Sequence, residues 1–287
     1  MKRASGKKVK RIGILLIGIE EKTVPALQYL ILHINSLQSA FEYEFLPIPR
    51  NDRLIIEMSS GLPLNREEVR QQVKDFTKRY TLFLERLMVE YKLGGTVSDR
   101  FVIVSTISFT DNYYTLRQDK LSVIALGNWE TVMAPPSILE FILSLVVRES
   151  VAAIAPSLRG SVHLGTKGCL EDFTASLKDA RYKILNAFVC EQCRDYLMKD
   201  GYPNLADELI TVLDKKWLGN PSEPNSPANI AKKLGYNLFT TKGYEPTFWE
   251  TFINLIQDEG IKQLIVIIGT VIAAVLAAFL IFRFGLK

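Results

Sequence analysis

The chain has 287 residues, of which 48% are hydrophobic and 23% charged. That is enough apolar matter to bury one large core or two modest ones, and it excludes a disordered protein. Lys and Arg exceed Asp and Glu by 35 to 31, a net charge of +4, and this small excess gives no reason to expect a nucleic-acid partner.

Basic residues are spread along the chain except at its start, where Lys2, Arg3, Lys7, Lys8, Lys10 and Arg11 cluster. The tail 1–10 reads either as a solvated terminus or as an attraction to anionic lipid head groups or phosphate. The apolar run 12–19 that follows stops at Glu20-Glu21 with no small-residue cleavage site. It therefore reads as a buried first strand and not as a signal peptide, which implies a cytosolic start. Strand-like runs at 11–19, 43–47, 100–109 and 121–126 alternate with helical patterns at 24–40 and 66–93. That order opens a β-α-β unit and predicts an α/β fold, a mixed sheet with flanking helices.

After the Ala134-Pro135-Pro136-Ser137 turn, residues 138–155 form a helical pattern that is apolar nearly all round, with Glu140, Arg148 and Glu149 as its only charges. Such a helix belongs at the centre of the core. Residues 185–218 are helical in pattern, and the polar, proline-rich stretch 220–227 reads as a linker. The α/β domain is thus expected over 11–218, and a connector carrying Trp249, Phe252 and Leu255 over 219–262.

Residues 264–282 are nineteen consecutive positions without a charge, bracketed by Lys262 and Arg283. At about 1.5 Å per residue they match the hydrocarbon thickness, which predicts a single transmembrane helix over 263–283. With only a short tail at 284–287, the expected arrangement is a C-terminal anchor in the lipid bilayer and the bulk of the chain in the cytoplasm. Gly269, Ala273 and Ala277 share one face of that segment, so homo-oligomerisation there is a hypothesis, beside a protein partner for the soluble part.

All three cysteines, Cys169, Cys190 and Cys193, fall within 25 residues, with His163 just before them. Cys190-Glu-Gln-Cys193 lets two thiolates grip one ion from a tight turn, and His163 with Cys169 completes a tetrahedral set. Three sulfurs and one nitrogen favour Zn²⁺. Four protein ligands leave no vertex for a catalytic water, so the expected zinc is structural. A redox-active Cys190/Cys193 pair and three inert thiols are the competing readings.

The spacing of these residues resembles that of archaemetzincins, zinc proteases with the signature HExxHxxGxxHC, then x4-C-x-M and a later C-x-x-C. On that pattern Gly160 takes the glycine, His163 the third histidine, Cys169 the next cysteine, and Cys190 and Cys193 the final pair, one residue late. The order of elements over residues 9–197 is similar, and Asp111-Asn112-Tyr113 resembles the family's Asp-Leu-Tyr turn. The catalytic half departs from the pattern. Ala153 stands at the first histidine, Ile154 at the general-base glutamate, Ser157 at the second histidine and Leu164 at the first structural cysteine. Pro156 breaks the helix that two histidines at i and i+4 require. The resemblance therefore implies a pseudoprotease in which His163 substitutes for the cysteine lost at Leu164.

No intact nucleophile or metalloprotease motif is present. A Ser or Cys nucleophile needs a histidine base, and outside His163 only His33 remains, on an expected helix face. No glycine-rich phosphate loop follows the first strand, where the chain reads Gly18-Ile19-Glu20-Glu21-Lys22. The leading expectation is a membrane-anchored, non-catalytic, zinc-stabilised module for binding, sensing or assembly. Two alternatives stand beside it. One is an enzyme or small-ligand sensor whose α/β cleft uses Glu149 and Asp111, and the other is a membrane-disrupting effector that acts by oligomerisation.

Overall fold

The computed structural model describes residues 9–127, 138–159, 163, 168–172, 180, 183–184 and 186–236. Five strands, β1 (Lys10–Ile17), β2 (Phe41–Phe45), β3 (Phe101–Ser105), β4 (Thr115–Gln118) and β5 (Leu121–Ala125), form one sheet in the order β2-β1-β3-β5-β4. The first four in that order run parallel, with Ile12 opposite Tyr43, Ile14 opposite Val102 and Val102 opposite Ser122. β4 closes the edge antiparallel to β5.

Two-residue periodicity sends β1 side chains to both faces of the sheet. Ile12, Ile14 and Leu16 enter one core, and Leu15 and Ile17 enter another. A parallel sheet buries both faces because its crossovers lay helices on them. On the first face lie α1 (Val24–His33), α4 (Ile138–Ile154), α5 (Pro156–Arg159), α6 (Glu191–Lys199), α7 (Leu205–Asp214) and α8 (Pro227–Lys233). On the second lie α2 (Arg53–Ser59) and α3 (Arg66–Glu90).

The helices start where their sequences supply caps. Asn65 Oδ1 accepts from the Glu67 and Glu68 amides at 2.9 and 3.3 Å, and those two carboxylates sit in the first turn of α3, where they complement the helix dipole. Val69, Val73, Phe76, Tyr80 and Leu84 then recur at helical spacing as its buried stripe. Asp52 caps α2 through the Leu54 amide at 2.9 Å, and Ser226 caps α8 through the Asn229 amide at 3.1 Å.

α4 is the apolar helix expected at the centre, with Glu140, Arg148 and Glu149 buried along with its apolar residues. The pattern expected as one helix over 185–218 divides. α6 ends at Asp200-Gly201, where Gly201 takes φ +81°, and Pro203 precedes α7. The packed chain then runs past 218 through the turn at 220–226, which Ser226 and Asn229 staple to the Asn220 and Pro221 carbonyls. α8 follows, and its Ala228 and Ala231 are buried in the same core as α1.

The expected fold class needs one correction. Among the described residues no helix is long and apolar enough to cross a membrane. The longest mostly apolar helix, α4, has 17 residues and carries three charges that the fold itself pairs or buries. The span expected at 263–283, its Gly269, Ala273 and Ala277 face, the connector at 237–262 and the tail at 1–8 lie outside the described residues. The described fold is an α/β domain with a mixed five-stranded sheet and no membrane helix.

Candidate metal centre

After α4 ends at Ile154 the chain turns into the single turn α5, and His163, Cys169 and α6 then converge. His163 bridges to Asp172, and Cys169 bridges to Phe188, so two short parallel pairings set the knuckle. Gly168 is required where it stands. It takes φ +128°, and a Cβ there would lie 2.7 Å from Asn186 Cβ. Cys190 is the N-cap residue of α6 and Cys193 lies in its first turn, so i and i+3 put both sulfurs on one face.

His163 Nε2 lies 3.3 Å from Cys193 Sγ and 3.3 Å from Cys190 Sγ, and Cys169 Sγ lies 3.5 Å from Cys193 Sγ. The four donor atoms fall within 4.8 Å of one another. A tetrahedral zinc with Zn–S near 2.3 Å has donor edges of about 3.8 Å, so this cluster has the size and composition of a metal site such as zinc. The cysteines are free thiols, with Cys169 and Cys193 buried.

The sulfurs divide their charge unequally. The Cys193 thiol, hydrogen-bonded to Cys169, pulls the Cys169 thiol down to about 5, against the opposing effect of burial. The same contact pushes Cys193 up, and burial pushes Cys190 up.

Asp172 organises the knuckle. Its Oδ2 accepts from the amides of Gly168 and Cys169 at 2.6 and 3.0 Å, and its Oδ1 lies 3.0 Å from His163 Nδ1. A carboxylate on Nδ1 fixes the proton there and leaves Nε2 as the donor facing the sulfurs, the usual arrangement behind a metal-bound histidine. Spacing among Cys and His gives no sign of Asp172. Its legible signal is only a carboxylate three residues after Cys169.

Beside the knuckle lies a buried ion network. Arg117 of β4 grips Glu149 at 2.6 Å and Glu171 at 3.2 Å, and Arg148 reaches Glu149 at 2.9 Å and the Leu170 carbonyl at 3.1 Å. The two guanidiniums and two carboxylates balance. Burial raises the Glu149 carboxyl, but the charges of Arg117 and Arg148 more than offset it and hold the group below its ordinary value. The Arg148–Glu149 pair was visible as neighbours on an apolar helix. Arg117 and Glu171 were not, because they are distant in sequence. Lys183 is also buried; it donates to the Asp172 carbonyl, and desolvation lowers its amine to about 7.

The remaining candidates are engaged elsewhere in the fold. Asp111 pairs with Arg66 at 2.5 Å and accepts from the Tyr113 amide at 3.0 Å, while the Arg66 guanidinium sits 4.6 Å above the Tyr113 ring. His33 stacks on Trp217 with centroids 5.3 Å apart, and partial burial lowers its pKa. Ala153 and Ile154 are the last residues of α4, and the helix breaks at Ala155 before Pro156. Ser157 donates its amide and hydroxyl to the two Asp200 carboxylate oxygens, each at 2.8 Å. The positions of Gly160 and Leu164 lie outside the described residues.

Comparison of the chain with protein-family models, with curated proteins and with solved structures finds no match.

Proposed function

We propose that this protein is a non-catalytic, zinc-stabilised α/β domain that serves as a binding, sensing or assembly module, with a protein or a second copy of the chain as partner. The single observation that carries the reading is the convergence of His163, Cys169, Cys190 and Cys193 within 4.8 Å. Three sulfurs and an imidazole suit zinc better than harder ions, and four protein donors fill its coordination sphere. A filled sphere leaves no place for an activated water, so the metal would hold the knuckle together and do no chemistry.

The resemblance to archaemetzincins fits this reading as a pseudoprotease. Ile154 supplies no general base, and Ser157 is engaged by Asp200 where the family places a histidine. His163, with no catalytic metal to serve, would stand in for the missing structural cysteine.

Elemental analysis of the reduced full-length protein tests the proposal. About one zinc per chain is expected, lost in Cys193→Ser and weakened or retained in His163→Ala. Absence of zinc would remove the metal and the family reading together. Chelator-sensitive peptidase activity that disappears in His163→Ala would overturn the non-catalytic assignment.

A further inference from the structure

β1 and β2 are adjacent and parallel, yet their outgoing chains part. β1 leads to α1 on one face of the sheet and β2 leads to α2 on the other. Ligands of open α/β sheets bind in a crevice outside the carboxyl ends of the strands. The crevice is present here as a cleft of about 800 Å³, reaching from Gly18 at the end of β1, past Leu46 and Ile48 after β2, to Ile55 and Ile56 of α2.

Its chemistry is one-sided. Ile48 and Ile56 are 39% and 56% exposed at the lips, so apolar surface is left in water around the opening. The one charged residue in the lining is Arg50, and among the described residues it has no carboxylate, hydrogen-bond or ring partner. The nearest acid in sequence, Asp52, is engaged by the cap of α2 through Oδ1 and by Arg79 through Oδ2 at 2.8 Å. Gly18, at φ +70°, lines the cleft at the end of β1. A Cβ there would lie 2.4 Å from Thr106 Oγ1, and Thr106 ties the Gly18 carbonyl to β3 at 3.3 Å.

We infer that this cleft binds a small amphiphilic anion, with an apolar body against Ile48, Ile55 and Ile56 and a carboxylate or phosphate head on Arg50. A guanidinium matches either head with two parallel hydrogen bonds, and the few polar groups of an apolar cleft fix the ligand's orientation. The ligand class goes beyond the metal-stabilised scaffold and does not depend on it.

The test is calorimetric titration of the full-length protein with octanoate and, separately, octyl phosphate, both below their micellar concentrations, with octanamide as the uncharged control. Saturable binding of at least one anion is expected, and the head that binds more tightly identifies the natural class. Arg50→Ala should weaken it on the order of 10- to 100-fold, the range of a lost charge-assisted hydrogen bond. Arg50→Lys should retain part of the affinity, and Ile56→Trp should block the cleft. Both side chains are exposed, so the unfolding midpoint should stay unchanged in these variants. No saturable binding, equal binding of octanamide, or unchanged affinity in Arg50→Ala would each overturn the assignment. A failure of the zinc proposal shows in metal content and leaves this titration interpretable.

Discussion

At the scale of single residues, Asp172 and Glu149 show how much a buried carboxylate does once it is partnered. Asp172 holds the His163 ring and two knuckle amides at once. Asp172→Asn should lower zinc affinity about 10- to 100-fold, the usual effect of losing a partner behind a ligand, while saturating zinc restores the fold. Competition against a chromophoric chelator measures it, and unchanged affinity would mean that His163 does not bind metal through Nε2. Glu149 faces Arg117 and Arg148 from a fully buried position. Glu149→Gln leaves those cations undercompensated, a loss of about 3–5 kcal/mol at neutral pH. The sign with pH follows from the depressed folded value. The stabilisation is fully present above the ordinary 4.5 and is lost as pH falls through the lower folded pKa. Denaturant unfolding should therefore show a wild-type advantage over Glu149→Gln that is flat above about pH 5 and shrinks in acid, since protonated Glu and Gln are alike in charge. An advantage that persists unchanged to pH 3 would place the stabilisation elsewhere.

At the scale of elements, β2 lies at the open edge of a parallel sheet, where unpaired amides invite a second strand. Asn35 covers that edge from the turn after α1, accepting from the Tyr43 amide at 2.7 Å and donating to its carbonyl at 3.0 Å. Gln38 does the same for Phe41, whose carbonyl and amide lie at 2.7 and 3.0 Å from its side chain. Asn35→Ala should cost about 1–2 kcal/mol, read as a lower urea midpoint with an unchanged slope, and should raise light scattering on standing. A variant as stable as wild type and with no added light scattering would show the edge to be protected by other means. This edge device was not legible, because the same Asn and Gln suit any turn. α4 was legible, since a long apolar stretch with few charges has only the core to enter, and α3 was legible from its period and its Asn65 cap. β4 was not, because Thr115–Gln118 is short and half polar. The metal cluster was readable from spacing, as sulfur and imidazole are rare enough to count. Its supports, Asp172, Arg117 and Glu171, are common residue types whose roles arise only when distant strands and helices meet. The helix pattern at 185–218 misled because apolar periodicity continues across a break that Gly201 and Pro203 make by backbone geometry.

At the scale of the whole described fold, the sheet divides the core in two, and all of the candidate ligands belong to one side. Cys169 and Cys193 pack in the cluster that holds α1, α4, α6, α7 and α8, while the cluster of α2 and α3 contains none of them. Arg148 and Arg117 carry the knuckle's influence inward, since they bind both Glu149 of α4 and the 170–171 turn. Metal bound only by the folded state stabilises it by mass action, on the order of 4 kcal/mol at free zinc a thousandfold above its Kd. Removing it should therefore loosen the two faces unequally. Amide exchange after chelation should rise first around 168–172 and in α6, next in α4, and last in α3, whose buried stripe meets only the opposite face of the sheet. A hydrogen-exchange map of the chelated protein decides the point. Graded loss confined to the first face would establish the knuckle as the clamp of that layer, and equal acceleration in α3 would show that the two cores open as one cooperative unit.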